Sequence, residues 1–178
     1  MGTTTVVNAV VAAAVVGALA GCASPQQAAT PSQSTGATTE NADQAARRQA
    51  LTAYQGMWTA VKKAGLTSNS ADPDLAKYAS SNALATITKK LTMDRASGLV
   101  TKGDIGIQPK VSSVAPPNAP TVVNIVDCAD DSRWLRYRKD NGAPADTPGG
   151  RHRVTAIVQQ IGGWRVTSFA LDDRAGSC

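Results

Sequence analysis

A single histidine, His152, and three cysteines, Cys22, Cys128 and Cys178, are all that this chain of 178 residues offers to a soft or borderline metal. No CxxC pair and no paired-histidine run accompanies them, whereas a zinc site takes three or four ligands at characteristic spacing. No metal site is expected. Also missing are Gly-x-Ser-x-Gly, a glycine loop for phosphate and a dinucleotide fingerprint, so no cofactor is expected and the positive argument for an enzyme is gone. The first 21 residues carry no ionisable side chain, which leaves the formal net charge of +5 entirely to the remainder. Met1 to Thr5 therefore lacks the basic residues usual in an export signal, a departure that an upstream translation start would explain.

What the N-terminus does contain is an apolar run from Val6 to Leu19, interrupted only by Asn8. It is shorter than the roughly 20 residues needed to span a bilayer and has the length of a signal-peptide core. It ends in Leu19-Ala20-Gly21-Cys22, a lipobox. Residues 1–21 are thus expected to be a lipoprotein signal peptide, with the mature chain beginning at a diacylglyceryl-modified Cys22. Two acyl chains suffice for stable anchoring, which places the protein outside the cytoplasm on the outer face of the cell membrane. Lipid on Cys22 leaves Cys128 and Cys178 as an even pair, expected to form a disulfide in that compartment. Residues 23–40 are Ser, Thr, Gln, Ala and Pro with one charge and no aromatic; such a segment buries too little apolar surface to order itself. Residues 22–42 then form the lipidated cysteine and its disordered tether, and residues 43–178 a single folded domain.

Within the domain, Leu51, Tyr54, Met57, Trp58 and Val61 recur at helical spacing, with Gly65 as a stop. Asp72-Pro73-Asp74 is a helix start, an N-cap Asp followed by Pro at the first helical position. A third helix is expected from about Asn82, capped by Ser80 or Ser81 and burying Leu84, Ile87 and Leu91, with its end near Gly98. Strands follow. Ile105, Ile107 and Val111 alternate, but Pro109 removes a donor and assigns the segment to an edge or bulge. Thr121 to Cys128 and Trp134 to Arg138 read as two further strands, and Asp140 to Gly150 as turns. Arg151 to Ile161 and Trp164 to Leu171 are joined by Gly162-Gly163, a tight-hairpin signal. Three N-terminal helices and an antiparallel sheet make an α+β fold.

Several stretches carry a resemblance. They are Tyr54-Gln55-Gly56-Met57-Trp58, Asp72-Pro73-Asp74-Leu75-Ala76-Lys77-Tyr78-Ala79, Gly98-Leu99-Val100-Thr101-Lys102-Gly103 and Val126-Asp127-Cys128-Ala129-Asp130. Gly149-Gly150-Arg151-His152-Arg153-Val154, Gly163-Trp164-Arg165-Val166 and the closing Gly176-Ser177-Cys178 complete them. In these and in element order the chain resembles the nuclear transport factor 2-like superfamily, and more narrowly a group of actinobacterial secreted or lipid-anchored proteins. The resemblance implies three helices packed on a strongly curved antiparallel sheet, a cone enclosing a pocket. The same cone hosts isomerases, dehydratases, cyclases and plain binding modules.

Enzymes of that fold place a carboxylate or an Asp–His pair in the pocket, and here Asp127 and His152 are the weak catalytic candidates. Asp127 points to the opposite face from Cys128 and faces the pocket if the disulfide lies outside the cone; otherwise it, Asp130 and Asp131 cap turns or pair with Arg133 and Arg136. His152, between Arg151 and Arg153 at a strand start, reads foremost as a structural or surface residue. Arg133, Arg136, Arg138, Lys139, Arg151, Arg153 and Arg165 gather in the sheet half with Trp134, Tyr137 and Trp164. Outside the cytoplasm nucleic acid is an improbable target for such a surface; a solvated face is expected first, then an envelope protein or an anionic wall polymer. The expected function is a non-enzymatic binding or assembly module of a cell-surface lipoprotein. The alternatives are a small-pocket isomerase or dehydratase-like enzyme acting on an apolar substrate, and a prophage lipoprotein that excludes superinfecting phage.

Overall fold

The computed structural model describes residues 40–172, 174 and 176–178. The expected signal peptide, Cys22 and nearly all of the expected tether lie outside the described residues. Among those described, no helix is long and apolar enough to cross a membrane. Three helices, α1 (Ala42–Gly65), α2 (Pro73–Tyr78) and α3 (Ser81–Ala96), pack against one curled antiparallel sheet. Its strands are β1 (Leu99–Gly106), β2 (Lys110–Ala115), β3 (Val122–Arg138), β4 (Arg151–Gln160) and β5 (Trp164–Leu171).

Helix α1 begins with a capping box: Asn41 Oδ1 accepts from the Gln44 N–H at 2.8 Å and Gln44 Oε1 from the Asn41 N–H at 3.4 Å, which satisfies two otherwise orphaned donors. Its buried stripe is Ala46, Ala50, Ala53, Tyr54, Met57, Trp58, Ala60, Val61 and Ala64, with Leu51 only half-buried. Small side chains bring the helix axis close to the sheet, and the large ones fill what remains. Gly65 does not stop the helix by a left-handed turn: the cap is Leu66 in a right-handed conformation. Gly65 instead packs on β1, where an added Cβ would lie 3.3 Å from that of Thr101. Asp72 caps α2 as expected, accepting from the Asp74 N–H at 3.0 Å. The third helix is preceded by Ser80, whose hydroxyl makes no capping bond.

The strands run β1-β3-β4-β5, with β2 also on β3. Val122 to Val126 of β3 pair with β2, and Asp130 to Arg138 with β1, both on the edge opposite β4. Thus β1 and β2 act as one strand broken at residues 107–109, where Pro109 sits. Here the structure corrects two expectations. The segment of Ile105, Ile107 and Val111 is two strands, the first starting at Leu99. The expected strands at 121–128 and 134–138 are a single strand of 17 residues. A bulge hides that continuity: between Gly106↔Asp130 and Asp104↔Arg133, two steps along β1 oppose three along β3. An extra residue exchanges the two faces of a strand. Val123, Ile125 and Ala129 are buried on the inner face before it, while Trp134 and Arg136 point inward after it. Register shifts also occur in β2–β3 and β4–β5, and such bulges sharpen local twist. The sheet accordingly curls into a half-barrel around α1.

Aromatic contacts close the core: Trp58 meets Trp134 and Tyr54 edge-to-face, with centroids 6.0 and 6.3 Å apart, and Phe169 at a tilt, 5.9 Å away. Outside the sheet, Cys128 and Cys178 form a disulfide with Cα atoms 5.9 Å apart. The chain end is also held to β4, since the Asp172 and Gly176 N–H groups donate to the Arg153 and Arg151 carbonyls.

Two variants test this arrangement. Gly103 has φ +95°, and a Cβ there would fall 1.8 Å from the Arg133 carbonyl oxygen at the bulge. Gly103→Ala is expected to cost at least about 2 kcal/mol, read as a lowered urea midpoint. Cys178→Ser should lower stability by up to roughly 4 kcal/mol on the chain-entropy model for a 50-residue separation. The same loss should appear on reducing the wild-type protein, and no further loss on reducing the variant.

Candidate functional site

The alternation of β3 carries Asp127 to the inner face, where it is 4% exposed. Its Oδ2 accepts from the Tyr54 hydroxyl of α1 at 2.9 Å and its Oδ1 from the Gln108 N–H at 2.6 Å. The second bond falls in the break between β1 and β2, so the carboxylate satisfies a backbone donor that β3 would otherwise have paired. Asp127 therefore does face inward, opposite the disulfide, but it does not line the cavity and both its oxygens are engaged. It caps the broken strand. Burial pushes the Tyr54 phenol well above its ordinary range. The Trp58 indole N–H is buried without a hydrogen bond of good geometry, though it lies near enough to the Tyr54 hydroxyl to offset part of that shift.

His152 is also a structural tie. Its Nδ1 is 3.0 Å from the Asp172 carbonyl oxygen and its Nε2 is 3.6 Å from Asp131 Oδ1. The side chain is 14% exposed and does not reach the cavity wall. Asp130 and Asp131 hold local backbone, accepting from the Ser132 N–H at 3.0 Å and the Gly150 N–H at 2.7 Å. Neither weak catalytic candidate is brought to a common site. Among the described residues no group of three or more His, Cys, Asp or Glu is placed to hold a metal ion.

The concave space lies elsewhere. Between α1, α3 and the curled sheet is an open cavity of about 550 Å³, within the range of small-molecule sites. Met57, Trp58, Ile87, Leu91, Trp134 and Phe169 form its apolar wall. Its rim carries an ion network that sequence reasoning did not single out. Lys90 Nζ donates to both oxygens of Asp94 at 2.6 and 2.7 Å, one turn apart on α3. Asp94 is 5% exposed, and Arg136 Nη1 stands 3.9 Å from it. Asp146 receives Arg136 Nε and the Arg136 N–H, each at 2.8 Å. Those bonds, with Ala145 N–H to Arg136 O and Arg138 N–H to Ala143 O, lay residues 143–146 along the free edge of β3 at the cavity mouth.

Of the basic cluster, Arg133, Arg138, Lys139, Arg151 and Arg153 are exposed. Only Arg136 joins the cavity, carried inward by the bulge. The Lys90–Asp94 pair was visible as an i, i+4 spacing on a helix. Its closeness to Arg136 had no local signal, because it depends on the parity switch in β3.

No protein-family model matches the chain, and no curated protein matches it. Among solved structures, the intermembrane space region of the chloroplast protein ARC6 aligns over 72% of this chain and 97% of that one. The TM-score is 0.49 and the sequence identity 16%.

The Tyr54–Asp127 bond yields a prediction. Tyr54→Phe leaves one oxygen of a buried carboxylate without its donor, at an expected cost of about 1.5–3 kcal/mol near neutrality. A phenol raised in the folded state contributes stability below its unfolded pKa of about 10 and loses it as pH rises through the folded value. Urea midpoints of the wild type should therefore fall between about pH 8 and about pH 11, and those of Tyr54→Phe should fall less.

Proposed function

We propose that this chain is an extracytoplasmic lipoprotein, anchored through Cys22, whose nuclear transport factor 2-like cone is a non-enzymatic binding module. The observation that carries the binding reading is the cavity of about 550 Å³ with its mainly apolar wall. Its charged rim groups are largely paired with one another. Such a site gains affinity by covering apolar ligand surface and selects by a few polar groups at one end. The disulfide supports an oxidising compartment, and the lipobox and the Ser/Thr/Gln-rich tether support a domain held at a short distance from a membrane. Attachment through such a segment suits a module that meets its ligand at or near that surface.

One observation favours the small-pocket enzyme instead. Asp94 is a carboxylate, almost wholly buried, on the wall of an apolar cavity, and its pairing with Lys90 is of a kind that acid–base sites use.

Native mass spectrometry of the full chain extracted from membranes separates these readings. A non-covalent small molecule should be retained by the wild type and lost from Thr86→Trp, which fills the mouth at an exposed position. A wild type that retains nothing and binds nothing offered would overturn the binding reading. Conversion of the retained molecule by the wild type, but not by Asp94→Asn, would replace it with the enzyme. The address is tested independently: Cys22→Ala should leave the membrane fraction or accumulate as uncleaved precursor.

A further inference from the structure

The hydrogen-bond inventory of the cavity rim is lopsided. Two of its three carboxylates already have a close donor on each oxygen: Asp94 takes Lys90 on both, and Asp146 takes the backbone and side chain of Arg136 on its two. The third, Asp131, has Oδ1 bound to the Gly150 N–H and Oδ2 without a donor among the described residues. The cations are not saturated. A guanidinium has five N–H groups in a planar fork and an ammonium has three. Arg136 uses only Nε on a side-chain acceptor, and its Nη1 is 3.9 Å from Asp94, beyond hydrogen-bond reach. Its Nη1 and Nη2 groups thus have no acceptor among the described residues, and one N–H of Lys90 is likewise unspent. Both side chains line the cavity and are about half exposed, 39% for Arg136 and 53% for Lys90.

The apolar wall ends at these donors. We infer that the cavity takes an amphiphile whose polar head is a carboxylate, seated on the free end of the Arg136 fork with Lys90 beside it. The apolar body lies against Trp58, Leu91, Trp134 and Phe169. This rests on the reading of the cavity as a ligand seat and adds its chemistry. A carboxylate matches the two parallel N–H groups of a guanidinium bidentately, whereas a hydroxyl head uses only one. An ammonium head finds only Asp131 Oδ2 without a donor already in place and lies beside both cations, whereas of the three aspartates near a carboxylate head two are paired with Lys90 and Arg136. The paired carboxylates also hold Arg136 in place before a ligand arrives, which reduces the ordering cost of binding.

The test uses the full chain carrying Cys22→Ser, which prevents acylation, and reads tryptophan emission, since Trp58 and Trp134 stand in the wall. Dodecanoate, dodecanol and dodecylamine are titrated below their solubility or micelle-forming limits. Dodecanoate should bind at least about tenfold more tightly than either of the others, the size of one hydrogen bond to a charged group. Arg136→Gln should remove most of that preference, weakening dodecanoate far more than dodecanol, and Thr86→Trp should abolish all three. Equal affinities, or a preference for the amine, would overturn the carboxylate assignment while Thr86→Trp still shows that the seat exists. Absence of binding by all three, or binding indifferent to Thr86→Trp, would overturn the seat itself. If Arg136→Gln proves unstable, the comparison of the three heads without it decides.

Discussion

A strand of 17 residues needs a partner along its whole length, and on one edge β3 has only a broken one. The break at residues 107–109 leaves the Gln108 N–H without a strand partner, and a part-buried backbone donor left unpaired costs up to a lost hydrogen bond. Asp127 resolves this by lending a carboxylate oxygen to the Gln108 N–H, and Tyr54 of α1 satisfies the other oxygen. Three parts of the fold meet in that one group: the central strand, the interrupted edge and the longest helix. A carboxyl group suits that place because its two oxygens serve two donors from different elements. A buried carboxylate is tolerable because both oxygens are taken.

From that fixed point the sheet curls away in two directions, and the bulge between Asp130 and Arg133 governs what its far end presents. One inserted residue turns Trp134 and Arg136 from the outer to the inner face. Trp134 then closes the aromatic contact with Trp58, and Arg136 becomes the hub between Asp146 at the mouth and Asp94 on α3. Without the parity change the half-barrel would lose both an aromatic wall and its polar rim. The ledge at residues 143–146 depends on it too, because it docks on the backbone and side chain of the same arginine. The cavity is therefore a consequence of how the sheet is bent, and its chemistry a consequence of where the bend falls.

Helices and hairpin were legible in particular residues. The Tyr54-to-Val61 spacing, the Asp72-Pro73 cap and Gly162-Gly163 each act within a few residues, and local signals survive folding unchanged. The disulfide was legible from arithmetic, once Cys22 was assigned to the expected lipobox. Less legible was α1's contact face, which is built largely from alanines that carry little hydrophobic signal of their own. The bulged strand was misread because alternation is the only mark of a strand in sequence, and a bulge erases it. Asp127 was singled out for the face on which it lies; its role was beyond reach, since Gln108 and Tyr54 are distant in the chain. His152 drew notice by being the only histidine, and it proves to tie the segment after β5 to Asp131 of β3 rather than to serve the cavity.

The sequence by itself determined the elements with strong local periodicity, the pairing of Cys128 with Cys178 and, as an expectation, the address outside the cytoplasm. Each of these depends on residue types at fixed short spacing or on a count. Tertiary structure alone decided that β1 and β2 share one edge, that β3 runs unbroken through its bulge, and that Lys90, Asp94, Arg136 and Asp146 assemble at the mouth of a cavity. The physical reason is common to all three. Register between strands is set by which pairings satisfy backbone donors and bury apolar faces together, and those conditions join residues far apart in the chain.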